Sequence, residues 1–180
     1  AQNAYINEGK LVIQAVNENY GGMNYTSARM TTKNKGDWKY GKLEIRAKLP
    51  SGTGTWPAIW MLPSDGVYGG WPGSGEIDIM EHVGYNPFHV HGTIHTESNN
   101  GMDGTQIGGH IEMNDVFSNF HNYTIEWNEQ SIKWYVDDIQ FFTYYNDNQN
   151  NSETWPFNQD FHLLISLAIG GNWAGQQGID

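Results

Sequence analysis

Apolar and polar residues alternate with a period of two through nearly every patterned stretch of this chain, and no stretch holds a helical period. In "GKLEIRAKLP" (41–50), Leu43, Ile45, Ala47 and Leu49 point one way, and Lys42, Glu44, Arg46 and Lys48 the other. "NYTIEWNEQSIKWYVDDIQFFTYY" (122–145) reads as three strands, with turns near Asn128–Ser131 and at Asp137–Asp138. "KLVIQAV" (10–16), "YTSARMTTK" (25–33), "HVHGTIHTES" (89–98) and "FHLLISLAIGG" (161–171) are further strands, separated by Gly, Asn, Asp and Pro clusters. Short strands without helices between them predict an all-β antiparallel sandwich or barrel. The 180 residues contain no domain linker and suffice for one domain with a sizeable core. "NDNQNNSE" (146–153) reads as a surface loop.

Charge and composition exclude several functions. The net charge of −11 argues against nucleic acid or an anionic membrane as partner, since both require a basic face. Without cysteine there is no disulfide, thiol nucleophile or thiolate metal site. No apolar run approaches the roughly 20 residues of a membrane span. The chain opens "AQNAYINEGKLVI", without an initiator Met, and is expected to be a processed or excised piece.

"GEIDIMEH" (75–82) stands out because it puts Glu76, Asp78 and Glu81 among the apolar Ile77, Ile79 and Met80. On a regular strand Glu76 and Asp78 share a face and Glu81 points away. One extra residue, a β-bulge near Ile79–Met80, would return Glu81 to the acidic face. Three carboxylates this close cannot all ionise, so one can serve as general acid while another attacks. Asp78, between them, could hold a shared proton and orient the nucleophile. A calcium site or a solvated edge strand is the alternative, but the segment lacks an EF-hand loop and its intervening residues are apolar.

Trp56, Trp60 and Trp71 precede this stretch and Trp173 follows the last strand, all near Gly/Pro loops. Indole faces stack on sugar rings, although any one tryptophan could equally fill the core. In "VHGTIHT", His91 and His95 share a face; no complete zinc ligand set accompanies them, and His95 is the better candidate to bond a sugar or an acid. Arg46 and Asn24 could bind hydroxyls, or make a salt bridge and a turn. No G-x-S-x-G elbow is present.

"WPGSGEIDIMEHVG" (71–84) resembles the active-site strand of glycoside hydrolase family sixteen, specifically the laminarinase-type endo-β-1,3-glucanases. "YTSARMTTK", "YGKLEIRAKLP", "GTWPAIWMLP", "HGTIHT", "YTIEW", "IKWYVDD" and "WPFNQDFHLLISLAIGGNWAG" extend the resemblance over essentially the whole chain. It implies a concanavalin-like β-jelly-roll sandwich over 1–180, with a concave cleft for a polysaccharide. By that resemblance Glu76 is the nucleophile, Asp78 its assistant and Glu81 the acid/base of a retaining hydrolase, and Met80 marks the bulged form typical of laminarinases. Sugar contacts are implied at Asn24, Arg46, Trp56, Trp60, Trp71, His95 and Trp173.

The implied activity is endo-hydrolysis of β-1,3-glucan, with mixed β-1,3/1,4-glucan as a second substrate, in a secreted, extracellular protein that needs no cofactor for chemistry. A non-catalytic β-glucan-binding module and a transglycosylase are the alternatives on the same fold. Family members carry one or two further strands before "NAYINEGKLVI" and a final strand beyond "GGID", so the chain is expected to lack them. The family's structural calcium uses a backbone carbonyl near Gly9 with acids from those two ends, so the site is expected to be incomplete here. Exposed strand edges are an expected route to association.

Overall fold

The computed structural model describes residues 2–180. Two hairpins lead the chain, β1 (Ala4–Asn7) with β2 (Lys10–Ile13), and β3 (Val16–Tyr20) with β4 (Met23–Thr26). Next come β5 (Arg29–Thr31), β6 (Asp37–Trp38), β7 (Gly41–Ala47), β8 (Thr55–Pro63), β9 (Glu76–Glu81) and β10 (His89–His95). The last strands are β11 (Ile107–Glu112), β12 (His121–Trp127), β13 (Ser131–Val136), β14 (Ile139–Tyr145) and β15 (Phe161–Ile169). A one-turn helix, α1 (Gly171–Ala174), and a 3-10 turn at Gly175–Gln177 follow.

Two sheets stack as a jelly-roll sandwich rather than closing into a barrel. The larger runs β11-β10-β9-β8-β15-β5, with β6 also on β15; the smaller runs β14-β13-β12-β7. Every pairing is antiparallel. Between the sheets lies one core: Ile59, Met61, Ile77, Ile79, Met80, Val90 and Ile94 from the larger meet Tyr123, Ile125, Trp127, Ile132, Trp134 and Val136 from the smaller.

The three strands expected within 122–145 are β12, β13 and β14. Asn128 Oδ1 accepts the backbone N–H groups of Gln130 and Ser131 and closes the first turn. Asp137 and Asp138 take φ of 47° and 69° in the second, the positive pair that suits a two-residue hairpin. The stretch 25–33 is not one strand. It ends β4 at Thr26, leaves the hairpin through Ser27 and Ala28, and joins the larger sheet as β5.

β11 has no counterpart in the sequence pattern because its paired glycines hide the alternation. They are needed sterically: a Cβ at Gly108 would lie 2.6 Å from the Gly92 carbonyl oxygen, and one at Gly109 2.9 Å from Phe142 Cβ.

Gly92 on β10 lies against the Trp134 ring, where an added Cβ would fall 2.5 Å from Cδ1. Trp134 is fully buried, and its indole N–H donates to the Asp78 carbonyl at 2.8 Å. Gly92→Ala should therefore destabilise by about 1–3 kcal/mol, through overpacking. The check is a lower denaturant midpoint with an unchanged m-value.

Candidate active site

β9 sits between β8 and β10, and both neighbours register one extra residue on it. Against β8, Ile59 pairs Met80 while Trp60 pairs Asp78; against β10, His91 pairs Glu81 while Thr93 pairs Asp78. The bulge therefore lies at Ile79–Met80, where the sequence pattern put it. Its effect is a clean sorting of side chains. Ile77, Ile79 and Met80 all enter the core at 0–1% exposure. Glu76, Asp78 and Glu81 leave by the opposite face and line a cleft of ≈ 530 Å³ with Trp56, Trp60 and Arg29.

Each glutamate receives one indole N–H. Trp71 Nε1 donates to Glu76 Oε2 at 2.5 Å, and Trp56 Nε1 to Glu81 Oε1 at 3.0 Å. Asp78, 2% exposed, has no such donor. Its Oδ2 lies 3.2 Å from His95 Nε2, but off the axis of a hydrogen bond, so that oxygen remains buried without a hydrogen-bond partner.

Burial dominates the protonation of all three. It raises Asp78 well above the usual range, with the Glu81 charge adding and the Glu76 hydrogen bond opposing. Burial, and then the Asp78 charge, push Glu76 up to about 8 against the pull of His95 and Trp71. Burial pushes Glu81 up to about 7, with the Trp56 N–H opposing and Glu76 adding. Glu76 and Asp78 share a side-chain hydrogen bond, which requires a proton on one of the two carboxyls. Passing that proton to Asp78 leaves the anion on Glu76, where the Trp71 indole supports it. Glu81 keeps its own proton until near neutrality.

Trp60 is fixed from two sides. Its Nε1 donates to Ser166 Oγ at 3.1 Å, and the Arg29 guanidinium lies 4.3 Å over its ring. Trp173, on α1, meets Trp56 edge-to-face at 5.4 Å and His91 at 5.2 Å. His91 is pushed down to about 4 by burial and by His110 and His89, which keeps its imidazole neutral. Trp71 and His95 sit 5.8 Å apart.

Two expected contacts are not brought to the cleft. Arg46 lies on β7 in the other sheet, over the Phe120 ring at 5.0 Å, facing a separate cavity of ≈ 750 Å³. The period-two pattern gave its face along β7 but not the sheet to which β7 belongs. Arg29 stands in the cleft instead, and only its place in "YTSARM", two residues past Ser27, hinted at this. Asn24 is exposed on β4, outside the cleft lining, although its chain leads directly to Ser27, Ala28 and Arg29.

Gly9, at φ 73°, forms the β1–β2 turn and borders the same cavity as Lys10, Arg46 and Lys48. Among the described residues no group of three acidic or imidazole ligands surrounds it, and these cationic neighbours do not fit calcium. One such group does exist: ligand atoms of Glu76, Asp78 and His95 lie within 4.8 Å of one another. It does not fit a metal either. Gly101 N–H donates to His95 Nδ1 at 3.0 Å, so the ring proton belongs on Nε2, the nitrogen a metal would need.

Residues 1–180 match the family model described as "Glycosyl hydrolases family 16". The beta-glucanase of Rhodothermus marinus is 51% identical over 185 residues, covering 99% of this chain and 65% of that protein. A glucan endo-1,3-beta-glucosidase of Cryptopygus antarcticus is 41% identical over 191 residues, covering 99% of this chain and 69% of its own length. The X-ray structure of the laminarinase from Rhodothermus marinus superposes with a TM-score of 0.96 at 50% identity, over 99% of this chain and 74% of that one. The chain thus spans about two thirds of the length of these two curated relatives.

The Glu81 shift fixes the sign of a pH effect. Its folded value of about 7 exceeds the ordinary 4.5, so the folded state holds a proton that the unfolded state has lost. The associated stability is complete below about pH 4.5 and is lost as pH rises through about 7. Glu81→Gln, which cannot ionise, should escape that loss. The melting temperature of the variant minus that of the wild type is expected to increase from about pH 5 to about pH 9.

Proposed function

This chain belongs to family 16 of the glycosyl hydrolases, and from that premise we propose that it is a retaining, endo-acting hydrolase of β-1,3-glucan. The observation that carries the reading is the acidic face of β9: two glutamates, each braced by an indole N–H, with a buried carboxyl between them.

Glu76, relieved of its proton by Asp78, attacks the anomeric carbon. Protonated Glu81 gives its proton to the departing glycosidic oxygen, and a glycosyl ester on Glu76 results. Glu81, now ionised, takes a proton from water as that water attacks the same carbon from the vacated side. The ester breaks, and the configuration is retained after two displacements. No cofactor enters, because nucleophile and acid are both side chains.

Trp56, Trp60, Trp71 and Trp173 supply apolar surface for pyranose faces, while Arg29 and His95 offer donors to hydroxyls and acids. Relatives known as a glucan endo-1,3-beta-glucosidase and an endo-1,3-1,4-beta-glycanase support β-1,3-glucan as the principal substrate, with mixed β-1,3/1,4-glucan second. A polymeric substrate places the work outside the cell. The 180 residues act as a single catalytic domain. A binding module would have no need of a buried carboxyl hydrogen-bonded to a glutamate on the same strand face.

Glu76→Ser removes the nucleophile and leaves the indole surfaces. It should abolish reducing-end release from soluble β-1,3-glucan while binding to the same glucan stays within about threefold of wild type. Wild-type release by this variant would remove Glu76 from the mechanism. A folded wild type that binds glucan but releases nothing would favour the binding module.

A further inference from the structure

Glu76 becomes a nucleophile only if Asp78 can take its proton, so the group on the other side of Asp78 helps decide where that proton rests. That group is His95, with Nε2 3.2 Å from Asp78 Oδ2. A neutral imidazole carries its proton on either nitrogen, and the partner of the second nitrogen decides which. Here that partner is the Gly101 N–H, donated to Nδ1 at 3.0 Å. Two N–H groups cannot face each other at that distance, so Nδ1 is the acceptor and the ring proton rests on Nε2, the nitrogen beside Asp78.

A backbone N–H in a loop is a dependable director only if the loop has one conformation. Within the segment 96–105, Asn100 is the side chain that makes the most hydrogen bonds. Asn100 is 2% exposed, and its Nδ2 lies 3.4 Å from the Thr96 carbonyl, 3.3 Å from that of Glu97 and 3.2 Å from Asp103 Oδ2. Its Oδ1 accepts the N–H groups of Met102 at 3.0 Å and Asp103 at 3.3 Å. Its own backbone exchanges bonds with Thr105, at 3.1 Å to Oγ1 and 2.9 Å from the Thr105 N–H. The loop is therefore pinned on both sides of Gly101 by one amide. Only asparagine suits this place: an aspartate cannot donate to two carbonyls and a carboxylate, and an alanine does neither. Gly101 itself has to be small, since a Cβ would sit 3.2 Å from His95 Cε1.

We propose that Asn100 is a positioning residue: it fixes the 96–105 loop so that Gly101 N–H holds His95 as its Nε2–H tautomer against Asp78. The catalytic consequence rests on the proposed reading of Glu76 and Asp78 as a pair sharing one proton. With the opposite tautomer, an imidazole lone pair would face Asp78. The carboxyl proton would then turn toward His95 and away from Glu76, and the exchange that frees the nucleophile would fail. Substrate contacts at the tryptophans would be untouched.

The test uses the full 180-residue chain and two substitutions. Asn100→Asp keeps the acceptor for Met102 and Asp103 but loses the amide donors, and Gly101→Pro removes the N–H while placing a ring close to His95. Nitrogen-15 NMR of the imidazoles reports the tautomer without requiring activity. Wild type should show His95 protonated on Nε2 and bare on Nδ1, and both variants should lose that single signature. In both, kcat on β-1,3-glucan should fall by about tenfold to a hundredfold, the scale of a displaced catalytic group, with KM within about threefold.

A wild type protonated on Nδ1 would overturn the proposal, as would folded variants that keep the Nε2–H signature and wild-type kcat. Should the tautomer depend on Asn100 while wild type cleaves no glucan, the positioning stands and the hydrolase reading fails.

Discussion

One surplus residue on β9 is the constraint on which everything else depends. A regular strand would send Glu81 into the core beside Ile77, where an unpaired carboxylate would be strongly unfavourable. The bulge at Ile79–Met80 lets both of those residues enter the core while Glu81 turns out beside Asp78 and Glu76. Hydrophobic burial thus sets the direction of the acids: three well-packed apolar side chains on one side hold three carboxylates in register on the other. Because the bulge is matched against both neighbouring strands, it cannot slip without breaking two ladders.

The sandwich supports that face from beneath and from its edges. Trp134 rises from the second sheet to bond the Asp78 carbonyl, and Gly92 leaves it the room to do so. From the cleft side, Trp56 and Trp71 each use an indole N–H on one glutamate. These two tryptophans therefore combine an electrostatic role with an apolar surface. Low exposure raises all three acids, and the N–H donors are distributed unequally among them. Asp78, deepest and with no indole on its carboxyl, is where a proton is best kept. Glu76, with its indole, is where charge is best kept.

Much of this was legible in the sequence, for physical reasons. Alternation along 41–50 and 122–145 exposed four strands, because half-buried antiparallel strands must alternate. The bulge could be read from E-x-D-x-x-E, since no other strand geometry puts three acids together with three apolar residues between them. What could not be read was the partner of each strand. Arg46 has an outward face on β7, but β7 pairs with β12, and the cleft is on the other sheet. Arg29 lies on a three-residue strand too short to show a period. Asn100 sits in a run of Ser, Asn, Gly and Asp that reads only as a loop, and its bonds become visible only once the loop is closed.

The central claim is that Glu76 attacks and Glu81 donates from the same bulged strand, in two displacements at one carbon. Its most direct test is the anomer released first from β-1,3-glucan, followed by proton NMR before mutarotation sets in. The account predicts the β anomer at the earliest times, with the α anomer appearing only at the rate of spontaneous equilibration. First release of the α anomer would mean a single inverting displacement, in which water attacks rather than Glu76, and would contradict it.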